Sequence, residues 1–172
     1  MQRPSRHQDN RALKDLLALT GLASVAGLEQ NVRTWVTRWV QARKGLFLRA
    51  DSAGNLLITR SSDRSDASAN PTIWFTAHMD HPGFVVLGQV GPRRFELEFR
   101  GGVRDAYFPG APVDILTGDG AAVRARVLST DPQAEPYRKV TVQTARTDVK
   151  IRPGDLGRWA YPGRPSLPYV KG

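Results

Sequence analysis

The sequence of 172 residues contains no cysteine, and this absence removes several classes of protein at once. A disulfide framework, a zinc or iron–sulfur site with cysteine ligands, and a cysteine nucleophile are all excluded. A reducing compartment is the simplest setting, so we expect a cytoplasmic protein. Long apolar runs are also missing, and no stretch approaches the ~20 residues that span a bilayer. Met1–Asn10 lacks the apolar centre of a signal peptide.

Acidic residues are scarce, since 16 stand against 25 lysines and arginines and the net charge is +9. Such basicity raises the question of nucleic-acid binding. The excess lies at the two ends of the chain, because residues 51–150 carry twelve basic and twelve acidic side chains. No basic run exceeds a dipeptide, and aromatic residues do not alternate with arginine as in RNA-stacking motifs. The pattern argues against a dedicated nucleic-acid role.

Two amphipathic helices are predicted at the start of the chain. A polar capping residue precedes a helix over residues 11–20. A second helix opens in the segment Ser24–Glu29 and continues with apolar residues at intervals of three and four. Its apolar face includes Trp35 and Trp39, which we expect to pack in a core.

Strands and loops are predicted next. Two apolar runs flank Asp51–Asn55 and predict a β-hairpin. Ser61–Asn70 is polar and predicts a mobile loop tip. Thr72–Ala77 is continuously apolar and predicts a central strand that is buried on both faces, which together with the two helices indicates an α/β sandwich.

The second half of the sequence has short strand candidates separated by turns and shows no helical period. The candidates are Phe84–Val90, Phe95–Phe99, Val113–Leu116, Val123–Leu128, Val140–Thr144 and Val149–Ile151. Six short, closely spaced strands predict a small β-barrel. The tail from Arg158 to Gly172 has prolines at intervals of three and predicts an extended connector.

The residues with the most chemistry follow the predicted buried strand. His78 and Asp80 lie two positions apart at its carboxyl end, where open α/β sheets bind ligands. A histidine there can bind a metal through one ring nitrogen while the carboxylate accepts the other N–H. The spacing alone more often marks a hydrogen-bonded structural histidine than a metal ligand. His81 fits a substrate contact, an extra ligand or an exposed loop residue.

This segment resembles the metal-binding strand end of the co-catalytic zinc aminopeptidases related to glutamyl aminopeptidase, within the zinc-dependent exopeptidase superfamily. The matching residues are Phe75–Asp80 and then Gly83–Val86. Three further segments occur in the family's order. They are Leu16–Thr20 with Gly27–Glu29, the hairpin Asp51–Leu56, and the Pro-Gly-Asp turn within Ile151–Asp155.

The resemblance implies a partial α/β/α sandwich, the N-terminal part of a metallopeptidase-like catalytic domain, at residues 1–87. It implies an inserted small β-barrel domain used in oligomer assembly at residues 88–162, and a connector at residues 163–172. It also implies two divalent metal ions, zinc or cobalt, which lower the pKa of a bridging water. His78 would be a metal ligand, and Asp80 would be the catalytic-site residue that orients it. Glu29 matches a motif position but receives no role.

The sequence also departs from the family. The remaining ligands and the general base of the family come from an Asp-Asp pair, a Glu-Glu pair and a final histidine, and neither pair occurs here. One imidazole does not hold zinc tightly, since catalytic sites need about three protein ligands. We therefore expect a truncated or split N-terminal portion of a hydrolase that cleaves N-terminal residues from peptides, inactive alone and completed by a C-terminal half. The alternative is a non-catalytic assembly or binding module built on the β-domain as a homo-oligomer.

Overall fold

The computed structural model describes residues 6–61 and 73–160. The elements in chain order are α1 (Arg6–Thr20), α2 (Gln30–Gln41), β1 (Leu46–Ala50), β2 (Leu56–Arg60), β3 (Gly83–Gly91), β4 (Arg94–Arg100), a 3-10 helix (Asp105–Tyr107), β5 (Pro112–Leu116), β6 (Ala122–Asp131), β7 (Arg138–Thr144) and β8 (Leu156–Trp159). The expected class, a mixed α/β fold with a small barrel, is confirmed. Neither of the two described helices combines the length and the apolar character that crossing a membrane demands.

The described chain divides into two compact units. The first comprises residues up to Leu22 together with Leu28–Asp80, and the second comprises Ala23–Gly27 together with the residues from His81 onward. The first unit contains both helices and the hairpin of β1 and β2, and the second contains the barrel.

Asp15 of α1 binds two side chains of the α2 region. Its Oδ2 accepts hydrogen bonds from Nε1 of Trp39 at 2.8 Å and from Arg43 at 2.9 Å. The Arg43 guanidinium also stacks on the Trp39 ring, 3.4 Å from its centre. Trp35 and Trp39 are accordingly half-buried instead of fully enclosed. For Trp39 the bond to Asp15 explains this, because the indole N–H needs an acceptor.

The predicted hairpin is confirmed. β1 and β2 pair in antiparallel fashion, with Leu48 opposite Ile58. The Asp51 carboxylate closes the turn by accepting from the backbone and the side-chain N–H of Asn55, each at 2.8 Å. The side-chain bond from Asn55 is the main reason that the pKa of Asp51 is lowered.

The predicted start of the second helix is wrong. The segment Ser24–Glu29 does not open α2, which begins at Gln30. Ser24 and Val25 are instead fully buried within the second unit. Gly27 has a φ of +83°, a left-handed conformation that interrupts a helix and that glycine adopts without strain.

The strand predicted over Thr72–Ala77 does not form among residues 73–77. Ile73 and Trp74 are exposed there, and Phe75 is 94% exposed. A strand needs hydrogen-bonded neighbours, and no strand of the described residues pairs with this segment. The loop tip predicted at Ser61–Asn70 lies outside the described residues from Ser62 onward.

Six strands form a closed barrel in the order β3-β4-β7-β6-β5-β8. Side chains alternate between the core and the surface, as on β4, where Phe95, Leu97 and Phe99 are buried. Aromatic rings fill one part of the core, with centre-to-centre distances from 4.9 to 6.5 Å. Five of the six predicted strands are confirmed, and their observed ends lie no more than three residues from the predicted ones.

The sixth predicted strand is wrong, because β8 (Leu156–Trp159) closes the barrel and Val149–Ile151 does not. Val149 and Ile151 pack against the core from a loop. Gly157 lets β8 approach β3, since a Cβ there would lie 3.0 Å from the Cβ of Phe84. The predicted domain boundary between residues 87 and 88 falls inside β3, and the predicted connector at residues 163–172 lies outside the described residues.

Candidate functional site

His78 and Asp80 interact directly. They lie in a stretch of the first unit, residues 73–80, that is neither helix nor strand. The Nδ1 atom of His78 is 3.1 Å from Oδ1 of Asp80. When the imidazole is neutral and the carboxylate accepts, Nδ1 is the donor and Nε2 keeps its lone pair. The contact is therefore compatible with the neutral tautomer in which Nε2 can bind a metal.

The imidazole is open to solvent. The side chain of His78 is 80% exposed and that of Asp80 is 38% exposed. A pair as exposed as this contributes little to the stability of the fold. Its effect is therefore on the orientation and basicity of the ring, which is what a metal-binding histidine requires from its carboxylate partner.

The donors around His78 fit one ligand of a metal centre and not a complete one. Among residues 6–61 and 73–160 there is no group of three or more His, Asp or Glu side chains that could hold a metal ion. About three protein ligands are needed for a catalytic zinc. The described part of the chain therefore offers His78 as a single candidate ligand, which is fewer than such a centre needs.

Other residues singled out in the sequence have different surroundings. Glu29 precedes α2 as its N-cap residue and makes no side-chain cap hydrogen bond. His81 is half-buried in the second unit, where its backbone N–H donates to the carbonyl of Ser24 at 3.4 Å. The sequence-based expectations assigned nothing to Arg124 and Arg126. Arg124 and Arg126 lie two positions apart on a predicted strand, so the sequence does indicate that their side chains share a face.

No protein-family model and no curated protein matches the sequence. Solved structures do match. The TET1 peptidase of Pyrococcus horikoshii, which can assemble into a tetrahedron or a large octahedral shell, has a TM-score of 0.63 and 18% identity, over 86% of this chain and 46% of that chain. The TET aminopeptidase of a marine-sediment Thaumarchaeota archaeon has a TM-score of 0.65 and 17% identity, over 87% and 44%. An aminopeptidase of the archaeon Desulfurococcus kamchatkensis has a TM-score of 0.61 and 19% identity, over 87% and 43%.

At these identities the likeness establishes the fold. The chain has an aminopeptidase-like fold of the type found in the TET enzymes. It spans less than half the length of each of these structures, between 43% and 46%. The closer relation to glutamyl aminopeptidase stays a prediction.

Proposed function

We propose that this chain is the N-terminal part of a metal-dependent aminopeptidase and supplies His78 as one ligand of its metal centre. The observation that carries the proposal is the 3.1 Å contact between Nδ1 of His78 and Asp80, on a ring that is 80% exposed. Zinc or cobalt, when bound, would lower the pKa of a coordinated water and polarise the scissile carbonyl. Asp80 acts through His78, because accepting the Nδ1 proton holds the ring and strengthens Nε2 as a donor to the metal.

The segment before His78 supports the need for a complementing half. Ile73, Trp74 and Phe75 are large apolar residues of high strand propensity, and all three are exposed. Strands that pair with this segment would bury them and would bring further side chains to its carboxyl end. The proposal is therefore that a C-terminal half, on the same or another polypeptide, supplies these strands, the other metal ligands and the general base, and that this chain alone does not cleave peptides.

A first experiment uses the chain by itself. Cobalt(II) is titrated into isotopically labelled protein, and the paramagnetic broadening of amide signals is mapped. We expect weak binding that broadens the signals around His78 and disappears in His78→Ala. His7→Ala removes an imidazole elsewhere in the sequence and serves as the matched control. Broadening that persists in His78→Ala, or that requires His7, would contradict the role of His78.

A second experiment tests the activity. The chain is co-expressed with a polypeptide that carries the C-terminal half, and the release of p-nitroaniline from aminoacyl p-nitroanilides is measured with zinc or cobalt present. We expect activity only for the combination, and we expect His78→Ala to lose it together with bound metal. A complemented His78→Ala variant as active as the unchanged protein would refute the proposal.

Assembly is a second candidate function, favoured by a specific feature of the barrel. The barrel is closed and has its own core, yet Leu87 and Val90 are exposed at the two register shifts of β3. The TET1 structure with a dodecamer in its asymmetric unit supports self-association of this fold. Sedimentation of the full chain should show an oligomer that Val90→Lys weakens, with Lys150→Ala as an exposed control. A monomer at every concentration would refute this role.

A further inference from the structure

A groove on the outer face of the barrel carries three arginines. Its volume is about 380 Å³, within the range of sites that hold small molecules. The three arginines are Arg93, Arg124 and Arg126. The remaining lining residues are uncharged: Pro112, Ala125, Leu128, Gln143, Thr144 and Ala145. All of the lining residues belong to the second unit and to the described part of the chain, and none of them is acidic.

The strand register explains how the arginines come together. On β6, Arg124 and Arg126 are exposed and alternate with the buried Ala125 and Val127. Residues two apart on a strand share a face, with Cα atoms roughly 7 Å apart. Arg126 lies opposite Gln143 of β7 on one side and opposite Pro112 of β5 on the other. The groove therefore crosses three neighbouring strands.

Each guanidinium is anchored through one nitrogen. Arg126 donates to the carbonyl of Gly110 at 2.6 Å, Arg124 donates through Nε to Asp114 at 2.5 Å, and Arg93 donates to the carbonyl of Ala145 at 3.4 Å. A guanidinium has five N–H donors, so each anchor leaves most of the fork for a ligand. Anchoring also reduces the side-chain freedom that a ligand would otherwise have to remove.

The turn between β3 and β4 holds Arg93 in an unusual conformation. Its φ is +59°, in the left-handed region that disfavours residues with a side chain. The backbone N–H of Thr144 fixes it by donating to the carbonyl of Arg93 at 2.9 Å. Glycine or asparagine would fit this turn with less strain, yet the position carries an arginine that lines the groove. Strain retained at such a position is typical of functional sites.

We propose that this groove binds a small molecule that carries two or more carboxylate or phosphate groups. Guanidinium forks bind both kinds of anion in a bidentate manner. Arg124 and Arg126 share a face with Cα atoms roughly 7 Å apart, so that each can take a separate anionic group, and Leu128 and Pro112 add apolar surface to the groove. Asp114 offsets one of the three positive charges and leaves the groove net positive. This site is separate from the peptidase function proposed above.

A nucleic acid is the less suitable occupant. Residues 51–150, which contain the groove, carry equal numbers of basic and acidic side chains, so the arginines form a local site and not an extended basic surface. Nucleic-acid affinity comes mainly from many phosphate contacts along such a surface.

The test measures anion binding to the full chain by calorimetry in 150 mM NaCl, with the chain fused to a soluble carrier and the carrier alone as the blank. Added salt screens general attraction between exposed charges, so that binding depends on the forks. Pyrophosphate and citrate are the two probes, and acetate controls for a single charge. We expect one of the probes to saturate below about 1 mM, acetate not to saturate, and the preferred probe to show whether phosphate or carboxylate is the ligand class.

Variants locate the site. Arg126→Gln should weaken binding at least about tenfold. Arg126→Lys keeps the charge but not the guanidinium fork, so its affinity should lie between those of the unchanged chain and Arg126→Gln. Arg104→Gln removes an exposed arginine that does not line the groove and should leave binding unchanged. The amide NMR signals that change position when the probe is added should be those of β6 and β7. The proposal is overturned if neither probe saturates by 10 mM, if Arg104→Gln weakens binding as much as Arg126→Gln, or if a DNA duplex binds more tightly through the same arginines.

Discussion

The guanidinium of Arg138 lies 4.5 Å from the ring centre of Phe108, a fully buried residue of the barrel core. Arg138 also donates to the carbonyl of Val103 at 2.9 Å and pairs with Asp105. Its Nε atom is buried and has no hydrogen-bond partner in the described residues, so the aromatic face provides the compensating electrostatic contact. Phe108 thus both fills the core and stabilises the half-buried guanidinium of Arg138.

Phe108→Ala should therefore be one of the most destabilising changes in the barrel. Phe108 is fully buried, and removing its ring should cost about 3–5 kcal/mol of unfolding free energy. Urea unfolding followed by far-UV circular dichroism gives the measurement. Tyr107→Ala is the control, because that neighbouring ring is 67% exposed and its removal should change stability by less than about 0.5 kcal/mol. Equal effects of the two substitutions would contradict this account of the core.

Asp15→Ala should loosen the first unit. The substitution leaves the Trp39 indole N–H and Arg43 without their shared acceptor, at a cost of about 1–2 kcal/mol. Asp15→Asn keeps an oxygen for Trp39 and should cost less. Tryptophan fluorescence during urea unfolding reports the change, and Lys14→Ala on the same helix is the exposed control. An Asn variant as unstable as the Ala variant would show that charge, and not the indole bond, is decisive.

The Asp119 carboxylate makes the stability of the barrel depend on pH. The hydrogen bond from the Thr117 hydroxyl, at 2.6 Å, is the main cause that lowers the pKa of Asp119 from its ordinary 3.8. A carboxyl whose pKa is lower when folded stabilises the fold above its unfolded pKa, and this contribution is lost as the pH falls through the folded pKa. The stability difference between the unchanged chain and Asp119→Asn should therefore be largest near neutral pH and shrink below about 3.8.

Titration of the Asp119 carboxyl carbon by NMR checks the cause directly. Thr117→Val removes the hydroxyl donor and should raise the pKa of Asp119 toward 3.8, whereas Thr117→Ser should retain the lowered pKa. An unchanged pKa in Thr117→Val would show that the backbone N–H of Ala121, 3.2 Å away, is the dominant donor.

Asp80→Asn should weaken metal binding in the complemented protein. The amide oxygen can still accept from Nδ1 of His78, but without the charge that makes Nε2 a stronger ligand. We expect a loss of about tenfold in zinc affinity, and a larger loss for Asp80→Ala, measured by competition with a chelator. Asp51→Asn removes a carboxylate from the hairpin turn of the same unit and is the control. Unchanged affinity in Asp80→Ala would remove the orienting role of Asp80.

The sequence predicted those strands and turns that are specified by residues close together in the chain. The alternation of Phe95, Leu97 and Phe99 is sufficient to identify a strand, and the turn at Asp51–Asn55 identifies the hairpin. β8 was missed because its sequence, Leu-Gly-Arg-Trp, has little strand character, and its place depends on the close approach of Gly157 to Phe84. The strand predicted at Thr72–Ala77 has a strong pattern, but residues 6–61 and 73–160 contain no strand that pairs with it, which sequence periodicity does not reveal.

The spacing of His78 and Asp80 predicted their contact, because two positions apart on an extended chain place both side chains on the same side. The groove arginines were not foreseen. Arg93 and Arg126 come from a turn and a strand that are far apart in the chain, and their meeting depends on the order of strands around the barrel. Net charge along the sequence hides such a cluster, since nearby acidic residues cancel it in the total.

The pairing of β8 with β3 joins residue 157 to residue 84 and has a consequence for biosynthesis. Because β8 is the last strand of the barrel to be synthesised, a sheet of β3 to β7 alone would have two unpaired edge strands and an uncovered inner face. The barrel can close only after Trp159, the last residue of β8, has left the ribosomal exit tunnel. We therefore expect slow translation of the last barrel segment to lengthen the time during which the nascent chain exposes apolar surface to aggregation and to chaperones.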